Sequence, residues 1–265
     1  MTEVNKHRLS RTVPPAIKRE IRKRCGFGCV ICGLGFYDYE HFDPDFVDAT
    51  EHNPKGMTLL CSQCNQKRAR GRLSAQTVAA ANASPKCLER GFSSELFDFG
   101  SKPIEVKFAG VTFYDCRYLI VVNDRPLLAV SPPKEPGQPV LLSGLFADGN
   151  GKVTLTIEDN VFSVDSDNWD VECVGPRITI RSAHRDISLI LKMEPPTGLV
   201  VERLDMQFQG VFLRGNLDLL ETSFDGKRWA RYAAVHMSHG YVGMAFDNRP
   251  NLPKPANDAK YELES

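Results

Sequence analysis

Cys29-Val30-Ile31-Cys32 and Cys61-Ser62-Gln63-Cys64 decide how the first part of this chain folds. Each Cys-x-x-Cys turn offers two thiolates to the same ion, so two such turns can close one tetrahedral zinc site. Between Cys32 and Cys61 lie 28 residues, among them Tyr39-Glu40-His41-Phe42. A structural zinc site needs neither an acid nor an imidazole in its loop, so Glu40 and His41 stand out as candidate chemistry. Cys25 sits four residues before the first pair, where it can compete as a ligand or pack against the preceding helix. Cys87, Cys116 and Cys173 stand in unrelated contexts and read as buried thiols.

Working outward, Pro14 to Arg24 predicts a helix: prolines at its start, Ile17 and Ile21 four apart, basic residues around them and Gly26 to end it. Phe36 to Phe46 reads as a short strand and an irregular loop. Met57-Thr58-Leu59-Leu60 leads into the second cysteine pair, and Asn65 to Arg70 forms a basic helical turn. A further helix is expected from Ser74, as N-cap, to Leu88, with a connector to Pro103.

Beyond that point the period changes from helical to two. Residues 110–130, 140–157, 178–193, 199–220 and 230–246 alternate apolar and polar, with hairpin signals at Asp148-Gly149-Asn150-Gly151 and Asp225-Gly226-Lys227. The expected class is α+β: a small zinc-bound module at 1–88, a linker at 89–103, an all-β domain at 104–252 and a tail at 253–265. The β domain is most simply a sandwich, and stacked short runs also allow a β-solenoid.

The chain has 265 residues and a formal net charge of zero. That neutrality hides an asymmetry: residues 1–75 hold 13 Lys+Arg against 8 Asp+Glu, and the remainder 20 against 25. Phosphate contact is therefore expected in the first part. No apolar run reaches the roughly 20 residues needed to span a bilayer, and residues 1–11 contain no apolar signal core. The expectation is a cytoplasmic protein without a membrane partner, with its cysteines used for metal and not for disulfides.

Three segments in order carry a resemblance: Arg24-Cys25-Gly26-Phe27-Gly28-Cys29-Val30-Ile31-Cys32-Gly33, then Glu40-His41-Phe42-Asp43-Pro44, then Leu59-Leu60-Cys61-Ser62-Gln63-Cys64-Asn65-Gln66-Lys67-Arg68. Together they resemble the zinc-knuckle HNH endonucleases, over about residues 11–75. The resemblance implies a ββα-metal finger that is held by structural Zn²⁺ on Cys29, Cys32, Cys61 and Cys64 and hydrolyses phosphodiester bonds. It makes His41 the general base, Glu40 and Asn65 ligands of a catalytic divalent ion such as Mg²⁺, and Lys67, Arg68, Arg70 and Arg72 contacts to flanking phosphates. The family usually has Asn five residues before the second pair to orient the base, whereas this chain has Gly56. His52 and Asn53 are the nearby residues able to substitute.

In the β domain, Asn168-Trp169-Asp170, Trp229, His236 and His239 are candidate ligand contacts, set against an ordinary packing role for the tryptophans. Arg177, Arg181 and Arg185 share one strand face by their even spacing and could meet phosphate, or simply be solvated. The resulting expectation is a two-domain nuclease acting on nucleic acid, chiefly DNA. Its β domain would serve recognition, oligomerisation or control, as in a prokaryotic restriction-like or defence effector. A zinc-containing nucleic-acid-binding module without activity is the alternative, and a homo-oligomer is allowed.

Overall fold

A computed structural model describes residues 4–249. Helix α1 (Pro15–Cys25) begins on a proline and ends at Gly26, whose φ of 68° is the left-handed cap conformation that glycine adopts without a Cβ penalty. A side chain there would also meet Cys87 Cβ at 2.9 Å. Strands β1 (Asp38–His41) and β2 (Met57–Leu60) form an antiparallel pair with His41 opposite Met57. All four β2 residues are buried, as their apolar run requires. Helix α2 (Ser62–Ala69) follows directly, capped by the Cys61 sulfur accepting from the Cys64 N–H.

The helix expected from Ser74 to Leu88 is two. Ser74 caps α3 (Ala75–Ala83) by accepting from the Thr77 N–H, and a break at Ser84-Pro85 separates it from α4 (Lys86–Arg90). Proline disfavours helical geometry in the residue before it, which is why the break falls there. The stretch expected as a linker carries strand β3 (Phe92–Leu96), which pairs along its whole length with a later strand. An open sheet edge supplied the missing partner, and a linker-like sequence took strand form.

The β region contains β4 (Glu105–Phe108), β5 (Val111–Tyr114), β6 (Tyr118–Val122), β7 (Arg125–Ser131), β8 (Leu141–Ala147), β9 (Val153–Glu158) and β10 (Val161–Asp165). It continues with β11 (Asp170–Val174), β12 (Arg177–Ala183), β13 (Asp186–Glu194), β14 (Gly198–Phe208), β15 (Val211–Asn216) and β16 (Leu220–Ser223). The last described strands are β17 (Ala230–Tyr232), β18 (Val235–Ser238) and β19 (Val242–Phe246). One open sheet of seven strands runs β19-β6-β7-β8-β9-β10-β3, and a second, of ten, has the spine β11 to β17 with β4, β5 and β18 attached. Both expected hairpin turns lie between paired strands, at β8–β9 and β16–β17. Antiparallel meanders dominate, so the solenoid alternative is not the architecture: from β6 to β10 and from β11 to β17 each strand pairs with its predecessor across a short connection, where a solenoid would need stacked parallel coils. The tail expected at 253–265 lies outside the described residues.

The two sheets meet through their apolar faces: Phe108 of β4, in the second sheet, stacks on Phe146 of β8, in the first, with centroids 6.2 Å apart. Within the first sheet, Phe97, just past β3, stacks on Phe162 of the neighbouring β10 at 5.1 Å. Each such buried ring contributes about 2–3 kcal/mol by leaving water, and the Phe108–Phe146 stack places that gain between the layers. Two chain segments cross between the sheets side by side: β5 to β6, and β18 to β19, with β18 parallel to β5 and β19 parallel to β6.

The cysteine-bearing part is bolted to the second sheet. Arg22 of α1 reaches Asp170 of β11 with two hydrogen bonds and Glu172 with a third, and also donates to the Tyr39 hydroxyl at 2.7 Å. Arg19 lies 3.6 Å from the centroid of the Trp169 ring, and Lys23 donates to the Asn168 carbonyl. Asn168, Trp169 and Asp170 are thus a docking platform for α1.

Candidate metal centre and adjoining cleft

The ligand atoms of Cys29, Cys32, Cys61 and Cys64 all lie within 4.8 Å of one another. Cys32 Sγ is 3.6 Å from Cys61 Sγ and 3.9 Å from Cys64 Sγ. A tetrahedral zinc with bonds of about 2.3 Å requires sulfur–sulfur edges of about 3.8 Å, so the four sulfurs fit a metal ion such as zinc. Their chemistry agrees. A hydrogen bond from Cys32 holds the Cys29 thiol well below its ordinary range, while Cys29, as the acceptor of that bond, pushes Cys32 up. Burial, and then the charge on Cys29, pushes Cys64 up. One negative charge suppresses the next, and a central cation removes that penalty. Cys25 is not in the cluster; it is fully buried beside Thr58 and Asn82. Cys87 packs at the edge of the first cysteine turn, near the Cys29 carbonyl.

Next to this cluster, β1 carries Glu40 and His41 into a cleft of about 320 Å³ shared with Arg11, Lys18, Asp38 and His52. His41 is only 8% exposed. Its Nε2 lies 3.1 Å from His52 Nδ1, and His52 Nε2 lies 2.8 Å from the Ser10 carbonyl oxygen. A carbonyl can only accept, so in the neutral rings His52 Nε2 carries the proton and His52 Nδ1 accepts from His41 Nε2–H. The tautomers are fixed in series, and the basic lone pair of His41 is at Nδ1. Burial first, then the neighbouring His52 and Arg11, lowers the His41 pKa, against a small opposing pull from Asp45.

Glu40 accepts a hydrogen bond from Asn65 Nδ2, across from β1 to α2. Burial, and then repulsion from Asp38, raises its pKa, against stabilisation by Asn65 and Arg68. The pair leaves Asn65 Oδ1 and the second Glu40 oxygen as hard donors suited to a divalent cation that keeps most of its water. Among the described residues, only the four cysteines bring three or more His, Cys, Asp or Glu ligands together.

Gly56 closes a short 3-10 turn (Pro54–Gly56) that Asn53 caps by accepting from the Lys55 N–H. The Gly56 carbonyl accepts from the N–H groups of Phe42 and Asp43. A Cβ on Gly56 would sit 1.9 Å from the Asp43 carbonyl oxygen. There is no space for an asparagine here, and the side chain that hydrogen-bonds the His41 ring is His52.

The basic residues after the second cysteine pair divide. Lys67, Arg70 and Arg72 are exposed and line an open depression beside α2. Arg68 turns back instead, pairing with Asp45 and donating to the His41 carbonyl at 3.4 Å. In the β domain, Arg177 pairs with Glu202 and Arg181 with Asp170 and Glu172, so both are engaged within the fold. Arg185 sits in a turn at φ 62°. Trp229 stacks under Arg214 at 3.7 Å, and His236 is exposed on β18. Arg11 and Lys18 were missed as cleft residues by sequence reasoning. Their only signal was the basic excess before the first cysteine.

No family model, no curated protein and no solved structure matches this chain. Among the described residues, no helix is long and apolar enough to cross a membrane.

Proposed function

We propose that this chain is a metal-dependent endonuclease of the HNH type that hydrolyses phosphodiester bonds in nucleic acid, chiefly DNA. The observation that carries the reading is the Ser10–His52–His41 chain of contacts, which leaves a basic imidazole nitrogen in the same cleft as Glu40. The order of two paired strands and a helix, with a cysteine cluster beside them, is consistent with a ββα-metal finger.

In this mechanism His41 takes a proton at Nδ1 from the attacking water. A lowered pKa keeps the imbalance on the side of the neutral base near pH 7. His52 holds the ring, in the role that an asparagine has in the resembling family. Glu40 and Asn65 would hold the divalent ion, which supplies electrostatic stabilisation to the phosphate and the leaving oxygen when bound. Arg11 and Lys18 lie in the same cleft and give it positive charge for a polyanion, while Lys67, Arg70 and Arg72 extend that charge along α2.

The deciding experiment is cleavage of plasmid DNA and of single-stranded RNA in Mg²⁺ or Mn²⁺, comparing the wild-type chain with His41→Ala. Cleavage by wild type alone supports the reading. Equal cleavage by both removes His41 from the mechanism. Salt-sensitive binding without cleavage by either would instead support a nucleic-acid-binding module.

A further inference from the structure

The β domain contains a cleft of about 430 Å³ far along the chain from the cysteine cluster, at the corner where β5 passes to β6 and β18 passes to β19. Both corners bend at a non-glycine residue in the left-handed region, Asp115 at φ 51° and His239 at φ 56°. That conformation is unfavourable for side-chain-bearing residues, and both residues line the cleft where the chain passes from one sheet to the other. The walls are apolar and come from both sheets: Ile104, Val106 and Phe113 on one side, Leu119, Val130 and Val140 on the other. Volume and lining are those of a small-molecule site, in which an apolar body is enclosed and a few polar groups set its orientation.

Polar groups gather at the mouth. His239 Nε2 stands 3.8 Å from an Asp115 carboxylate oxygen, so this acid already has a partner when the imidazole is charged. Among the described residues Arg117 has no acid partner. Its contacts are a donor bond of 3.4 Å to the Val130 carbonyl and a position 5.8 Å from the Tyr118 ring centroid, with no ion pair among the described residues. A half-buried guanidinium, oriented by a backbone carbonyl and lacking a counter-charge, is matched by an anion.

We infer that this cleft binds a small amphipathic anion, with an apolar body about the size of two fused rings and a single carboxylate or phosphate that meets Arg117. The site is independent of the nuclease reading, since none of its residues lines the His41 cleft.

The test is calorimetric titration of the full chain with three probes that share one body: 2-naphthoate, 2-naphthyl phosphate and the neutral 2-naphthylmethanol. We expect one-to-one binding, with at least one anion preferred over the neutral probe by about tenfold or more, and the better of the two identifying the head group. Arg117→Gln should remove that preference while leaving the neutral probe's affinity unchanged. Val130→Trp, which fills the cleft, should abolish binding of all three. Thermal melting checks that each variant is folded. If Val130→Trp is not, Arg117→Gln decides alone. The inference is overturned if no probe saturates up to about 1 mM, if the neutral probe binds as tightly as the anions, or if Arg117→Gln leaves the anion preference intact.

Discussion

Arg22 and Asp170 are 148 residues apart in sequence and form a two-pronged ion pair, Nε to Oδ1 at 2.9 Å and Nη2 to Oδ2 at 2.7 Å. Both side chains are almost fully buried, at 4% and 1% exposure. The same guanidinium holds the Tyr39 hydroxyl, next in sequence to Glu40. One side chain therefore ties helix α1, the strand that carries the candidate site and the second sheet into a single contact.

Removing Arg22 should be strongly destabilising, because Asp170 would be left buried with only Arg181 to answer its charge. Arg22→Met is expected to cost about 3–5 kcal/mol, read as a lower midpoint in urea denaturation. The double variant Arg22→Met/Asp170→Leu should recover part of that loss, since it removes the stranded charge. Equal stability of wild type and Arg22→Met would show that the clamp contributes nothing.

The cysteine cluster should carry one zinc per chain by elemental analysis, and Co²⁺ substitution should give the absorption of a tetrahedral thiolate site. Binding a cation deprotonates the clustered thiols, and its binding free energy adds to that of folding. A strong chelator, or Cys61→Ser, should therefore lower the thermal midpoint sharply. A chain that binds no metal and melts unchanged with chelator would exclude the centre.

Gly56→Asn restores the resembling family's residue, yet it should not improve the protein. The Asp43 carbonyl occupies the space that the new Cβ needs, so a loss of about 1–3 kcal/mol is expected from overpacking. A variant as stable as wild type would mean that the loop before β2 relaxes freely.

His41 should titrate below the ordinary imidazole value of about 6.5, as followed by its ring resonances in NMR. The sign follows from which state binds more protons. Burial disfavours charged His41 in the folded chain, so between the depressed folded pKa and the ordinary value the unfolded chain is the more protonated. The His41 contribution is thus most favourable to folding above pH about 6.5 and declines as pH falls through that window. A midpoint at or above the ordinary value would contradict the buried setting.

His52→Ala should release the His41 ring without removing it. If His52 is a positioning residue, the cleavage rate should fall by about 10²-fold, the His41 midpoint should rise, and His52→Asn should recover part of the rate. A rate loss with an unmoved His41 titration would mean that His52 acts only through the fold.

Much of the local structure was legible in the chain itself. The cysteine spacing pointed to a four-sulfur cluster, Pro15 and Gly26 bounded α1, and alternation at period two located the strand-bearing region and two of its turns. These features are encoded within a few residues, where steric preference and hydrophobic period act directly. Less legible were β3, which needed β10 as a partner, and the division of Ser74–Leu88 into two helices. The fate of the arginines was least legible. Arg181 reads as surface charge in the sequence and is engaged by Asp170 and Glu172 in the fold.

By itself, then, the sequence determined which residues could form a metal cluster, where the first helix starts and stops, and that the larger part of the chain is β. Only the tertiary structure decided that His52, not the residue at 56, meets His41, that Gly56 has no room for a side chain, and that Arg22 joins the cysteine-bearing part to the second sheet. Those outcomes depend on strand register and on packing between segments up to about 150 residues apart. Their energies come from burial and charge in a shared interior, and no local pattern of residues reports on that interior before it forms.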